Sequence, residues 1–293
     1  MKNIKKIIKS LIIMLMIVFL FYCNNYNNCN AGENNIFITD EEQFSIFKNT
    51  IQNVFNKHNN TILSVKHDFP NKLFDLLYKK ENVIIGIIGE TASGKSTFVK
   101  EAQKSIQSLG IPVSFVNADN YYKDTSHIVK RTNKDISTLV KNGELDLDCP
   151  EAFNLELLKS DLLKLRKNIK ILSPKYSMDG TGISLPHQIP VESNNIIIVE
   201  GIASAYEDIY NIFDITIYVD IDDNVRKDRF MNRSKEREIK EDNANEFWNK
   251  VFEAGKKYIK PRKNDVDIII NGEFNIDTID ELINDLKQQI YGI

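Results

Sequence analysis

The sequence predicts an α/β fold, a three-layer sandwich with a parallel sheet, helices on its faces and a helical lid. The first observation is the β-branched run Val83–Ile88, which leads into a glycine-rich turn and then a helix. The second is a series of apolar runs separated by helical stretches, at Val113–Asn117, Asn195–Val199, Ile215–Val219 and Val266–Ile270. Strands that alternate with helices are typical of parallel sheets with right-handed crossovers.

The glycine-rich turn begins at Gly89 and has the spacing G-x-x-x-x-G-K-S. This spacing, after an apolar strand and before a helix, indicates a loop that wraps the phosphates of a nucleotide. Glycines bring backbone N–H groups close to an anion, and the N-terminus of the helix adds its positive dipole end. Lys95 is expected to bridge the outer phosphates, and Ser96 to hold Mg²⁺. The alternative is a strand–helix turn without a ligand. The residues expected to contact the nucleotide are Gly89, Glu90, Thr91, Ala92, Ser93, Gly94, Lys95, Ser96 and Thr97.

The length and composition limit the classes of protein that fit. The chain has 293 residues and a net charge of −3, enough length for one large α/β domain or two small ones. Without a basic excess, nucleic acid is not expected as a partner. Three cysteines, Cys23, Cys29 and Cys149, indicate no disulfide framework. The four histidines lack the spacing of zinc ligands.

Residues 1–35 are expected to be a leader and a polar linker. Lysines precede an apolar run from Leu11 to Tyr22, which is short for a membrane span and fits the core of a signal peptide. Leu20 and Cys23 have the spacing of a lipoprotein cleavage site, but the bulky Tyr22 stands where a small residue is expected, and Cys29-Asn30-Ala31 offers an ordinary cleavage site instead. The alternatives are an uncleaved membrane tether and an extension without function. A need for cytoplasmic ATP favours a cytoplasmic or tethered protein over an exported one.

Residues 36–80 are expected to form a helical region ahead of the first strand. Apolar residues recur at helical spacing from Phe44 to Phe55, and a second short helix is predicted around Leu73 to Tyr78. These helices are interpreted as packing elements, with a separate functional unit as the alternative. Residues 81–293 are then the predicted catalytic domain.

Acidic side chains follow the predicted strands at Asp119, Glu200 and Asp220. The carboxyl ends of parallel strands are where such sheets bind ligands. Asp119 is the candidate to take or orient the proton of an acceptor hydroxyl, with a helix N-cap as the alternative. Glu200 precedes Gly201 and is the candidate to orient metal-bound water, with a solvated strand end as the alternative. Lys95, Asp119 and Glu200 are therefore the predicted catalytic residues, and Ser96 and Glu200 the predicted metal ligands.

A row of arginines follows the last of these carboxylates. Arg229, Arg233 and Arg237 are four residues apart, which places them on one helix face, and Arg226 precedes them. Guanidinium groups bind phosphate oxygens in a bidentate manner. The alternative is a solvated face paired with acidic neighbours, but downstream of a phosphate loop a mobile lid is favoured. Arg229 and Arg233 are assigned to the nucleotide, and Arg226 and Arg237 to the acceptor.

Together these motifs resemble the uridine kinase/phosphoribulokinase family of P-loop kinases, from Val83 to about Gly272. The resemblance implies the P-loop NTPase fold. Asp119 to Asp124 is similar to the family's D-x-[FY]-Y-K motif, which implies a catalytic base at Asp119 and places Tyr121 near the substrate. The run from Leu147 to Phe153 resembles the segment whose Asp contacts the nucleoside sugar, which implies that role for Asp148. Pro174-Lys175-Tyr176 resembles the segment whose Tyr packs against the base, here Tyr176.

Other segments extend the resemblance, and some depart from it. Glu200-Gly201-Ile202 is similar to the family's strand-end E-G-I, and the run from Tyr258 to Ile270 resembles its closing segment near the adenine. Uridine kinases usually carry a Thr-His pair and an Arg after the Tyr, whereas the run from Ser177 to Ile183 has neither. Ser234 stands in the lid where an Asp is usual. The departures concern the acceptor more than the transfer of a phosphoryl group.

The sequence thus predicts an ATP- and Mg²⁺-dependent kinase that phosphorylates a hydroxyl of a small molecule, with a nucleoside as the favoured acceptor. The second hypothesis is a nucleotide-binding or NTP-hydrolysing switch protein without small-molecule kinase activity. The leader and the departures after Tyr176 motivate that alternative. A membrane tether and a homo-oligomer both remain open.

Overall fold

The computed structural model describes residues 62–77, 81–108 and 112–273, together with residue 49. The chain divides into two compact units. The larger comprises residues 81–96 and 112–266, and the smaller contains the described residues 62–77, 97–108 and 267–273. The predicted leader, linker and helix at 44–55 lie outside the described residues, residue 49 excepted. Within the described ranges, no helix combines the length and the apolar character that crossing a membrane requires.

Helices and strands alternate along much of the chain. In order they are β1 (Ile62–Val65), α1 (Phe69–Leu77), β2 (Val83–Ile88), α2 (Lys95–Ser108), β3 (Val113–Asn117), α3 (Ser126–Thr132), α4 (Ile136–Lys141), α5 (Leu155–Arg166), β4 (Ile171–Tyr176), β5 (Ser184–Val191), β6 (Ile196–Glu200), α6 (Glu207–Tyr210), β7 (Ile215–Asp220), α7 (Asp223–Glu236), α8 (Glu241–Ala254) and β8 (Ile268–Asn271). Short 3₁₀ turns lie at Ala118–Tyr121, Pro150–Ala152, Ile202–Ala205 and Lys260–Asn264, and a π-helical turn lies at Gly255–Ile259.

The larger unit is organised around a parallel sheet in which β7, β2, β6 and β3 lie side by side in that order. Gly86 in β2 lies opposite Val199 on one side and Thr216 on the other. Every residue of β2 and β6 is buried, as expected for parallel strands covered on both faces. The predicted α/β fold with a mainly parallel sheet is confirmed. Because the strands run the same way, the phosphate loop and the residues that follow β3, β6 and β7 share one edge of this sheet.

The smaller unit contains an antiparallel pair of strands. β1 pairs with β8, and Ile62 lies opposite Ile270. Lys72 of α1 forms an ion pair of 2.7 Å with Asp267, which precedes β8. The strand expected near Val266–Ile270 is present as β8, Ile268–Asn271, whereas its antiparallel partner β1 was not predicted. β1 has four residues, which are too few to show the alternation of apolar and polar side chains that predicts a strand. The second predicted N-terminal helix is confirmed as α1 and begins earlier, at Phe69.

A hairpin of the larger unit, formed by the antiparallel strands β4 and β5, was not predicted. Prolines interrupt both strands, at Pro174, Pro186 and Pro190, and proline within a run argues against a strand. The pairing shifts register between Ser173 and Lys175, which accommodates this interruption. The hairpin matters for the site because Tyr176 is the last residue of β4.

Candidate active site

The phosphate loop joins the end of β2 to the start of α2, as the sequence predicts. Gly89 has φ +153°, and a Cβ there would lie 2.8 Å from both the Ser93 Oγ and the Val219 carbonyl oxygen. This bend therefore requires a residue without a side chain. The Lys95 Nζ donates a hydrogen bond of 3.0 Å to the Glu90 carbonyl oxygen, which folds the ammonium group over the loop. The loop has the close bend and the positive group that a phosphate chain needs.

Ser96 and Glu200 form the part of the site that fits a divalent cation. The Ser96 Oγ donates to the Glu200 Oε2 at 3.1 Å, and Thr97 follows, exposed, in the first turn of α2. Both groups are hard oxygen donors, which Mg²⁺ prefers, and Mg²⁺ usually takes its remaining ligands from water and phosphate oxygens. Across the described ranges, no group of three or more His, Cys, Asp or Glu side chains is clustered for metal binding. The two donors fit a Mg²⁺ that is shared with bound phosphates.

Asp119 lies directly after β3, in the 3₁₀ turn Ala118–Tyr121. Its Oδ1 accepts a hydrogen bond of 3.1 Å from the backbone N–H of Ile202, just beyond the end of β6. The N-cap of the turn is Asn117, whose side chain accepts from the Asp119 N–H at 2.8 Å. The N-cap alternative for Asp119 is therefore wrong. Its carboxyl group is held instead against the backbone that follows Glu200.

Lys95, Asp119 and Glu200 lie close enough to change one another's ionisation. Burial raises the pKa of Asp119, and the charge of Lys95 opposes this change. Burial and the charge of Asp119 raise the pKa of Glu200 to about 7. Burial also lowers the pKa of Lys95, against the attraction of the two carboxylates. Two interacting carboxyl groups beside one ammonium group, with a pKa near neutrality, form an arrangement suited to proton transfer.

Gly201 lets Asp119 approach the end of β6. It has φ +131°, and a Cβ there would lie 2.7 Å from the Asp119 Oδ1. We expect Gly201→Ala to displace this carboxyl group and to lower kcat about 10²-fold, because a misplacement of about 1 Å has an effect of that size. Steady-state kinetics, combined with an ATP-binding assay that we expect to change little, would measure this.

The matched control is Gly143→Ala. Gly143 also has a positive φ, of +71°, but a Cβ there would meet no atom within 4 Å. This variant therefore reports backbone strain without displacement of a neighbour. Equal kcat values for the two variants would show that Asp119 does not depend on the space at Gly201.

Asp148 is another buried carboxylate beside the loop. It accepts a hydrogen bond of 3.2 Å from the Thr91 Oγ1. Burial and the charge of Asp119 raise the pKa of Asp148 to about 7. The structure thus brings Asp148 together with Asp119 and with the phosphate loop, although these residues are far apart in the sequence.

Tyr122, rather than Tyr121, lies on the side of the carboxylates. The Tyr121 hydroxyl donates to Asp161 of α5 at 3.0 Å, and Tyr121 is 1% exposed. The Tyr122 ring packs against Tyr176, with ring centroids 4.9 Å apart. Burial and the charge of Asp148 raise the pKa of Tyr122. The structure therefore brings Tyr176 to the site but not Tyr121, because neighbouring residues of a tight turn point in different directions.

Tyr206 is a residue of this region that sequence reasoning missed. Its hydroxyl is buried and has no hydrogen-bond partner among the described residues. Burial and the charge of Asp148 raise its pKa, and its ring meets Phe153 edge-on with centroids 5.7 Å apart. The one signal in the sequence is its position shortly after the strand end at Glu200.

The arginines of the predicted lid occupy different environments. Arg226 of α7 is fully buried and lies 2.6 Å from Glu90, so the solvated-face alternative does not hold for it. The Arg229 Nη1 donates to the Ser93 carbonyl oxygen at 3.3 Å. Burial and the charge of Arg237 lower the pKa of Arg233, while Asp148 and Asp119 act in the opposite direction. Arg237 is exposed and caps the end of α7. The structure brings the first two arginines to the phosphate loop.

Comparison with known proteins shows what the chain is similar to. The model of the family described as "Phosphoribulokinase / Uridine kinase family" matches residues 84–278. A protein named uridine kinase from Clostridium tetani (strain Massachusetts / E88) is 37% identical over 215 residues, which cover 72% of this chain and 97% of that protein. A second protein named uridine kinase, from Clostridium novyi (strain NT), is 35% identical over 210 residues, which cover 70% of this chain and 95% of that protein. The solved phosphoribulokinase from Rhodobacter spheroides is alike in fold, with a TM-score of 0.50, 16% identity, and coverage of 66% of this chain and 71% of that one.

Proposed function

Since the chain belongs to the phosphoribulokinase/uridine kinase family and is thus a phosphotransferase with an alcohol group as acceptor, we propose that it transfers the γ-phosphoryl group of ATP to a nucleoside hydroxyl in the presence of Mg²⁺. One observation carries this proposal. The Asp119 carboxyl group is held by Ile202, close enough to Lys95 of the phosphate loop for each to shift the other's pKa. A general base for the acceptor and a binding loop for the phosphates of the donor therefore lie in the same compact unit.

The donor side of the reaction rests on the loop and Lys95. Phosphoryl transfer depends mainly on positioning and on neutralising charge. The loop N–H groups and the Lys95 ammonium group would bind the phosphates, and Ser96 and Glu200 would hold the cation. Bound Mg²⁺ would add positive charge where the transferred group becomes more negative. Arg229 lies against the loop through its bond to the Ser93 carbonyl oxygen, where it and Arg233 would contact the nucleotide.

The acceptor side rests on the two carboxylates and the aromatic residues. Asp119 would orient the acceptor hydroxyl and receive its proton as that oxygen attacks phosphorus. Asp148 would accept hydrogen bonds from other hydroxyls of the acceptor. The packed rings of Tyr122 and Tyr176 offer a flat apolar surface for a nucleobase. Relatives named uridine kinase support a nucleoside as the acceptor.

The connection between β4 and β5 is where the chain departs from the pattern of uridine kinases. The Ser177 N–H donates to the Ile183 carbonyl oxygen at 2.8 Å and closes the turn. This segment lacks the Thr-His pair and the Arg of that pattern. Recognition of the nucleobase would then use different contacts.

An acceptor panel tests the proposal. The full-length protein is mixed with ATP and Mg²⁺, and ADP release is followed with uridine, cytidine, adenosine, a sugar phosphate or no acceptor. We expect ADP release that depends on a nucleoside, with the phosphorylated nucleoside as the second product. ATP hydrolysis at one rate with every acceptor would instead favour the NTP-hydrolysing switch.

The pH profile follows from the shifted pKa values. Glu200, with a pKa of about 7, and Asp119, whose pKa is raised by burial, must both be ionised for their proposed roles. We therefore expect kcat/KM for ATP to fall as the pH drops below about 7, since this parameter reports the free enzyme. Burial lowers the pKa of Lys95. The loss of activity at alkaline pH should therefore begin at a lower pH than the ordinary pKa of a lysine. A profile that stays flat down to about pH 5.5 would contradict the assignment.

A further inference from the structure

A buried ion pair joins the phosphate loop to helix α7. The Arg226 Nη1 lies 2.6 Å from the Glu90 Oε1, and the Arg226 Nε donates to the Thr91 carbonyl oxygen at 3.2 Å. Arg226 is 0% exposed and Glu90 is 4% exposed. One side chain from the first turn of α7 thus holds two consecutive residues of the loop.

Other groups enclose this pair. The Tyr218 hydroxyl donates to the Glu90 Oε2 at 2.7 Å, and the Trp248 ring centroid lies 5.3 Å from the Arg226 guanidinium carbon. A Cβ at Gly255 would lie 3.3 Å from the Glu90 Cγ, so the backbone there passes directly over the glutamate side chain. Both carboxylate oxygens of Glu90 are therefore bonded to donors of the protein itself.

This arrangement explains how a carboxylate is tolerated in a loop that binds an anion. An unpaired carboxylate would repel phosphates, and a buried charge without a partner is strongly unfavourable. We propose that Glu90 and Arg226 are positioning residues for the nucleotide: their ion pair fixes the shape of the phosphate loop, neutralises its carboxylate and anchors α7. Neither side chain then contacts the nucleotide or the acceptor, in contrast to the roles assigned from the sequence. This inference rests on ATP as the donor.

Asp223 supplies a matched control. Its Oδ1 also lies 2.6 Å from the Arg226 Nη1, but its side chain is 37% exposed and it is not part of the loop. Asp223→Asn removes one counter-ion of Arg226 and keeps the pair with Glu90. We expect the Kd of ATP for this variant to stay within about twofold of the wild-type value, because the Asp223 carboxylate is partly exposed to water and Arg226 keeps its buried pair with Glu90.

The test measures the Kd of ATP by calorimetry, with Mg²⁺ and without an acceptor. We expect Arg226→Met and Glu90→Gln each to raise this Kd by about tenfold or more. Arg226→Met leaves the buried Glu90 carboxylate without a counter-ion, and Glu90→Gln removes the charge that holds Arg226 to the loop. In the double variant, the Kd should rise no further than in the weaker-binding single variant, since the two changes act on one interaction. Tyr218→Phe, which removes one hydrogen bond and no charge, should have a smaller effect in the same direction.

The outcomes separate the possibilities. An unchanged Kd for both Glu90→Gln and Tyr218→Phe would overturn the inference, even if Arg226→Met failed to fold. So would fold-changes that multiply in the double variant, because Arg226 would then act on ATP independently of Glu90. If the wild-type protein itself binds no ATP, the proposed function fails and the inference fails with it. If the wild-type binds ATP but transfers no phosphoryl group, the ion pair is still tested by these Kd values.

Discussion

Replacing Asp119 by Asn is expected to lower kcat by about 10²- to 10⁴-fold, the usual contribution of a positioned general base. The amide keeps the shape of the side chain and can still accept the hydrogen bond from the Ile202 N–H, which is 3.1 Å long in the wild-type protein. It cannot take the proton of the acceptor. Because Asp119 acts on the acceptor side, the Kd of ATP should change little. The measurement is single-turnover transfer at saturating ATP, together with calorimetry for the Kd.

The matched control for this change is Asp208→Asn. Asp208 lies in the first turn of α6 and is exposed, so the same change of side chain there should leave kcat and the Kd of ATP near their wild-type values. A wild-type kcat for Asp119→Asn would remove this residue as the base. Lower kcat with a much higher Kd of ATP would place the carboxylate on the donor side instead.

Lys95→Ala is expected to lower kcat/KM for ATP by about 10³-fold, because it removes a positive group aimed at the charge that develops during transfer. A second effect follows from the electrostatics of the site. The charge of Lys95 holds down the pKa of both Asp119 and Glu200. Without it, both carboxyl groups should protonate at a higher pH. We therefore expect the acid limb of the residual activity to move to higher pH, which a pH series on the variant would measure.

Lys100→Ala is the control for this prediction. Lys100 lies on the same helix, α2, and is exposed, so its removal should change neither the rate nor the acid limb. If Lys95→Ala lowered the rate without moving the acid limb, Lys95 would not be coupled to the carboxylates. If it changed neither, the loop would not be the donor site.

The parts of the molecule that sequence reasoning located best are those whose signal is local. A strand, a glycine bend and a helix start occur within consecutive residues around Gly89, so the phosphate loop was predictable in place and shape. Asp119 and Glu200 were placed correctly at one edge because each follows an apolar strand, and parallel strands end on the same side. The hydrogen bond between Ser96 and Glu200 then follows from the strand order.

The parts that sequence reasoning missed depend on distant contacts. A charged helix such as α7, where arginines alternate with acidic residues, indicates a solvated or ligand-binding face, and nothing local reveals that Arg226 is buried against Glu90. The choice between Tyr121 and Tyr122 depends on where α5 supplies Asp161. The pairing of β4 with β5 was hidden because their prolines argue against strands. In each case the contact joins residues from different segments of the chain, and the pattern of residues within one segment does not reveal it.

The contact between Arg226 and Trp248 has a practical consequence. Trp248 is the single tryptophan of the chain, and its ring centroid lies 5.3 Å from the guanidinium carbon of the residue that anchors the loop. The tryptophan fluorescence of the protein therefore comes from one indole, which lies against this anchor. Recording this emission while ATP is titrated would measure donor binding in solution, without a label and without turnover.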